Sequence, residues 1–126
     1  MVAADAFIRK LPKGLEYSIQ EGGIGLSGGQ KQAILLARLI LRDPSVVLLD
    51  EPTAAMDDAT ERHFIQHFGS WSVGKTVVIT THRMRALDVV SRIVVVEGGR
   101  IALDDAKDAA LATLSGGSAV RIHKAK

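Results

Sequence analysis

The chain has 126 residues, 47% of them hydrophobic and 24% charged, which suits one folded domain or part of one and argues against disorder. Net charge is +2, so the overall balance gives no reason to expect nucleic acid or an acidic surface as a partner. There is no cysteine, which excludes disulfides and thiolate chemistry, and no apolar run approaches the roughly 20 residues that span a bilayer.

Aromatic residues are only 4% of the chain, so the core is expected to come from Leu, Ile, Val and Ala. Met1 to Lys13 carries scattered charges and no apolar signal core. Any membrane link is therefore expected to run through another segment or chain.

Val2 to Arg9 fits a short helix. Lys10 to Leu26 holds Pro12, Gly14, Gly22, Gly23 and Gly25 and reads as loop. Ser27-Gly28-Gly29 then leads into Gln30–Arg42, a stretch of helix formers that Asp43-Pro44 ends. Apolar residues cover most of its circumference, which predicts a sandwiched helix with Lys31, Arg38 and Arg42 as one polar stripe.

Val46–Leu49 is an unbroken apolar run ending in Asp50-Glu51-Pro52, as in a parallel strand buried on both faces. Asp58–Phe68 reads as a helix, with Asp57 or Asp58 as N-cap, and Gly69–Lys75 as a connection. Thr76–Thr81 is a second buried strand followed by His82, and Met84–Val90 a short helix. Ile93–Val96 and Ile101–Leu103, joined through Gly98-Gly99, read as a hairpin. Asp104–Leu114 is a final helix, and Ser115–Ser118 begins a flexible exit toward a basic, solvated tail. The expected organisation is one unit over 1–114 and a tail over 115–126.

Strand, helix, strand in this order implies a right-handed crossover and parallel strands, with ligands beyond their carboxyl ends. Asp50, Glu51 and His82 then meet at one edge. An aspartate at a strand end can support Mg²⁺ through water, and a neighbouring carboxylate can orient or deprotonate an attacking water. Taken alone, the pair fits an acidic turn equally well, and a lone histidine is more often structural. Ser27-Gly28-Gly29-Gln30 offers a hydroxyl, two glycines that admit close approach, and a helix start whose N–H groups favour an anion. A simple serine cap explains Ser27 but leaves the paired glycines and Gln30 unexplained.

Two patterns are rejected. Gly69–Thr76 matches GxxxxGK[ST], but a phosphate-binding loop follows a strand and opens a helix, and this segment does the reverse. His63 and His67 have helical spacing, but Phe64 stands where a zinc-protease pattern needs Glu.

In combination, Leu26–Gln30, Val46–Glu51, Ala54–Asp57 and Thr80–Arg83 resemble the signature, Walker B, D-loop and H-loop of an ABC-transporter nucleotide-binding domain. The resemblance runs from about Phe7 to Leu114. It implies a partial P-loop NTPase fold of class α/β, with parallel strands, crossover helices, and a C-terminal β-hairpin and helix. The flanks Phe7–Glu16, Glu21–Ser27 and Asp50–Asp57 are similar to type I secretion exporters of the haemolysin and adhesin kind, with lipid or drug exporters as the alternative.

The resemblance also implies roles. Ser27, Gly28, Gly29 and Gln30 form the signature, of which the first three contact the γ-phosphate of ATP held by an opposite subunit. Asp50 supports Mg²⁺, Glu51 is the general base, His82 touches the γ-phosphate, and Asp57 couples the two sites. Ala33 stands where many members have arginine, and Ala54 where serine is common. The implied partners are a second ATPase domain and a transmembrane domain, at the cytoplasmic face of the inner membrane, with membrane contact indirect. The family's Walker A loop, adenine-stacking aromatic and Q-loop are not found in the 126 residues, so the chain alone is expected not to hydrolyse ATP. Two other readings stand beside this one. The first is a non-enzymatic partner that supplies its signature face to an intact ATPase. The second is a kinase-like binder using Gly69–Thr76.

Overall fold

In the computed structural model, which describes residues 4–116, the described residues separate into two units, one ending at Val89 and one beginning at Val90. The first unit runs α1 (Ala4–Ile8), two short 3-10 turns, α2 (Gly28–Arg42), β1 (Val46–Asp50), α3 (Asp58–Trp71), β2 (Thr76–Thr80) and a 3-10 segment, Met84–Val89. β1 and β2 pair in parallel, with Val47 opposite Val77 and Leu49 opposite Ile79. The expected adjacency of these strands is therefore observed.

The core of this unit is built on α3. Its buried positions, Glu61, Phe64, Ile65 and Phe68, fall at the spacing of one helix face. Phe64 stacks on Phe68 with ring centroids 5.2 Å apart, and Trp71 follows at 5.5 Å. Leu36, Val47, Met56 and Ala86 close around them. The expected aliphatic core is thus centred on aromatic rings. They are few, but three of them share one face of one helix.

The strands are covered on one face only. Val47, Leu49, Val77 and Ile79 turn toward the core, whereas Val46 and Leu48 are 57% and 73% exposed and Val78 is 51% exposed. Expected burial on both faces is not met, because the described residues of this unit supply one helical layer to a two-stranded sheet. The sandwiched α2 is corrected likewise: only Ala33 and Leu36 are buried, while Leu35 and Leu41 face outward. α2 ends at Asp43, whose left-handed backbone (φ 46°) lets its N–H reach the carbonyls of Leu39 and Ile40.

α3 continues three residues beyond the expected Phe68, so Gly69 and Ser70 are helical rather than part of a connection. Asp57, one of the two expected caps, is the N-cap.

The second unit is a hairpin of β3 (Arg92–Glu97) and β4 (Arg100–Ala106), followed by α4 (Lys107–Ser115). Gly98 and Gly99 both have positive φ, 56° and 75°, as a two-residue I′ turn requires. Arg92 holds Asp104 with two bonds of 2.6 Å across the pair, which draws Asp104 below the usual carboxylate range. Asp104 and Asp105 therefore belong to β4, and α4 starts three residues later than expected. The expected boundary after Leu114 falls one residue inside α4, and 117–126 of the expected tail lie outside the described residues.

Candidate functional site

At the carboxyl end of β1 the chain turns sharply. Glu51 adopts a left-handed backbone (φ 45°), a conformation that costs a non-glycine residue about 1–3 kcal/mol. Its N–H still bonds Thr80 O at 2.9 Å, so the sheet ladder continues one residue past β1. The turn aims the Glu51 side chain at the segment after β2, where His82 Nδ1 lies 2.8 Å from Glu51 Oε1. The other oxygen, Oε2, is buried with no hydrogen-bond partner in the structure. Beside this pair, Thr80 Oγ1 donates to Asp50 Oδ1.

A carboxylate only accepts, so Nδ1 of His82 carries the hydrogen in this pair. A neutral imidazole then has a lone pair on Nε2. Donation from His82 to a further anion therefore needs either a second proton or release of Glu51.

The second cluster lies at the start of α2. Ser27 Oγ accepts the Gln30 N–H at 3.3 Å, and Gln30 Oε1 accepts the Ser27 N–H at 2.9 Å. This is a complete capping box. It gives Gln30 a structural reason that the simple serine cap lacked. Of the orphan donors that start a helix, it leaves the N–H groups of Gly28 and Gly29 without an intrahelical partner. The Ser27 hydroxyl keeps its own hydrogen to donate.

Gly29 also packs closely, because a Cβ there would sit 3.0 Å from the Ala55 carbonyl oxygen. Ser27, Gly29 and Gln30 share a cleft of about 220 Å³ with Ala55, Asp57 and Thr60. Asp57 itself is engaged as the cap of α3, with Oδ1 accepting Thr60 N–H at 2.8 Å.

Two residues that sequence reasoning did not single out tie these pieces together. Gln32 donates from Nε2 to Glu51 O at 2.8 Å and accepts the Ala55 N–H on Oε1 at 3.3 Å. One amide thus joins α2 to the turn after β1. Glu61 is 3% exposed and binds Thr53, Arg83 and Arg85. A glutamate interrupting the apolar stripe of α3 was the signal available for it.

The rejected patterns stay rejected. Lys75 pairs with Asp43 at 2.8 Å and lies 4.9 Å from the Trp71 ring, and the segment after it is β2 rather than a helix. His67 Nδ1 is 2.7 Å from His63 O on an outer turn of α3, and no group of three or more metal-ligating side chains occurs among the described residues. A larger cavity of about 530 Å³, bordered by Arg62, Gln66, Ser70, Arg85 and Asp88, contains none of the expected site residues.

The family model described as ABC transporter matches residues 3–54. A bacterial Atm1-family ABC exporter, solved with ATP bound, superposes with a TM-score of 0.78 at 30% identity, covering 87% of this chain and 19% of that one. The chain belongs to the ABC transporter family and is part of its ATPase domain. It is 41% identical over 95 residues to the heterocyst differentiation ATP-binding protein HepA of Nostoc sp., covering 75% of this chain and 16% of that protein. It is 43% identical over 102 residues to the ATP-dependent lipid A-core flippase of Thiobacillus denitrificans, covering 79% and 18%. It is 41% identical over 102 residues to the cyclolysin secretion/processing ATP-binding protein CyaB of Bordetella pertussis, covering 81% and 14%. The chain therefore spans less than a fifth of the length of each of these relatives. No described helix of this ABC ATPase segment is long and apolar enough to cross a membrane.

Proposed function

We propose that this segment supplies two half-sites to the ATP-driven engine of an exporter. One is the signature face of Ser27, Gly28 and Gly29, which meets the terminal phosphate of ATP held by an opposite ATPase domain. The other is the acid–histidine edge of Asp50, Glu51 and His82, which serves ATP held on the segment's own side. The single observation that carries the reading is the orphaned Glu51 Oε2 beside the His82–Glu51 pair.

In this reading His82 orients the Glu51 carboxylate through Oε1, and Glu51 is the group that takes the proton of the attacking water. Asp50 is the residue that would support Mg²⁺, whose chemistry is neutralising phosphate charge. Thr80 holds its carboxylate from the neighbouring strand. The free N–H groups of Gly28 and Gly29 and the Ser27 hydroxyl suit an anion at a helix start. Asp57, at the cleft beside Ser27, couples the two sites across the dimer.

In this reading the lysine-bearing phosphate loop is supplied from outside these 126 residues, since Gly69–Thr76 is helix, turn and strand. The open face of Val46, Leu48 and Val78 supports the same view of a segment completed by further layers. The 126 residues alone are expected not to turn over ATP. In this reading the partners are a second ATPase domain and a membrane-spanning domain, and the segment works at the cytoplasmic face of the inner membrane. The transported class is protein, by type I secretion, on the strength of the similar flanks.

The test mixes the chain with an intact ABC ATPase domain whose own signature has been inactivated. The chain should restore ATP hydrolysis, and Ser27→Arg should abolish the restoration. Restoration that is indifferent to Ser27→Arg removes the signature-face reading.

A further inference from the structure

Among the described residues, Glu61 is the most buried acidic or basic side chain, and the proposed mechanism does not use its contacts. Oε1 accepts the Thr53 hydroxyl at 2.7 Å, and Thr53 is itself 1% exposed. Oε2 accepts a hydrogen bond from Arg85 Nη1 at 2.9 Å and forms an ion pair with Arg83 Nη1 at 3.2 Å. The second fork of the Arg83 guanidinium reaches Ala54 O at 3.3 Å. The backbone N–H of Arg83 bonds Thr81 Oγ1 at 3.0 Å.

Three segments converge on this one carboxylate. Thr53 and Ala54 follow Glu51 by two and three residues. Glu61 stands one turn inside α3, whose cap is Asp57. Arg83 follows His82 directly. A buried charge network of this kind is weak evidence for stability, because apolar residues of the same volume often serve as well or better. What it provides is register: a planar arginine fork engages two acceptors in a fixed geometry, which neither an apolar side chain nor lysine reproduces.

We propose that Glu61 is a positioning residue which, through the fork of Arg83, holds the His82 segment against the 51–57 turn so that His82 Nδ1 meets Glu51 Oε1. Its consequence for ATP hydrolysis rests on the reading of Glu51 and His82 given above. The positional claim itself does not, because the state of the His82 ring is readable without nucleotide.

The test is imidazole ¹⁵N–¹H NMR on the full 126-residue chain. In the wild type His82 should report one tautomer, hydrogen on Nδ1. Glu61→Gln keeps an acceptor for Thr53 but removes the charge that holds both arginines. Arg83→Lys keeps the charge but lacks the fork. In each variant the His82 signals should move to tautomer-averaged values, while dispersed amide spectra report a folded chain. Phe68→Leu, a core variant that loosens packing without touching the network, should leave the His82 tautomer as in wild type.

In a reconstituted ABC ATPase whose phosphate loop is supplied by a second polypeptide, Arg83→Lys should lower kcat about ten- to a hundred-fold, the scale of a small misplacement of catalytic groups, with KM little changed. Wild-type His82 signals in a folded Glu61→Gln or Arg83→Lys chain overturn the inference, and so does loss of the tautomer in Phe68→Leu. A reconstituted wild type that never hydrolyses ATP counts against the functional reading, and the NMR result still decides the positional one.

Discussion

His82 Nδ1 and Glu51 Oε1 stand 2.8 Å apart although 31 residues separate them in the chain. The contact depends on β1 and β2 being parallel neighbours in a register that pairs Asp50 with Thr80. It also depends on the left-handed turn at Glu51, which swings the side chain out of the alternation of the strand.

In an ABC ATPase reconstituted from this chain and a polypeptide carrying the phosphate loop, Glu51→Gln should slow ATP turnover by about 10²–10⁴-fold, the usual range for loss of a general base. His82→Ala should slow it as well. In the Glu51→Gln background the histidine change should have little further effect, because the two side chains act as one unit. Independent, multiplicative losses in steady-state phosphate release would argue against the pair.

Asp57 tests the cap of α3. The Thr60 backbone N–H, and then its hydroxyl, hold the Asp57 carboxyl below its ordinary value. A carboxyl whose folded value is lowered contributes its stability above the unfolded value of about 3.9, and loses it as pH falls through the folded value. Asp57→Ala should therefore lower Tm by a few degrees at neutral pH, with the difference closing in strong acid. Asp57→Asn should cap without titrating and stay close to the wild-type Tm at neutral pH. Thermal melts followed by circular dichroism at neutral and acid pH read both effects.

Gly28 and Gly29 look equivalent in the sequence and should respond in opposite ways to alanine. A Cβ on Gly28 makes ordinary contact with Ala55 Cβ at 3.9 Å, whereas one on Gly29 sits 3.0 Å from Ala55 O. Gly28→Ala should stabilise by about 0.4–1 kcal/mol through reduced freedom of the unfolded chain. Gly29→Ala should destabilise, because Ala55 is tethered to Gln32 and its carbonyl has little freedom to retreat. Urea midpoints of the two variants should fall on either side of wild type.

Lys75→Ala addresses the look-alike phosphate loop. The side chain is committed to Asp43 and lies near the Trp71 ring. ATP affinity of the chain, measured by equilibrium dialysis with labelled nucleotide, should be unchanged by the substitution. A lost affinity would restore the kinase-like reading of Gly69–Thr76.

The sequence by itself determined the order of elements, the pairing of two apolar runs and the edge where Asp50, Glu51 and His82 collect. The first follows from short-range periodicity, and the other two from the connection rule for parallel strands. Only the tertiary structure decided that Gln32 bridges α2 to Glu51 and Ala55, and that Glu61 gathers Thr53, Arg83 and Arg85. Each of those is a bond between side chain and distant backbone or between side chains far apart in sequence, and its existence depends on how helices are placed rather than on what they contain. Burial was decided there too. Val46 and Leu48 are apolar enough to be covered, but coverage needs a second layer, and the described residues of their unit lay one helical layer against the sheet.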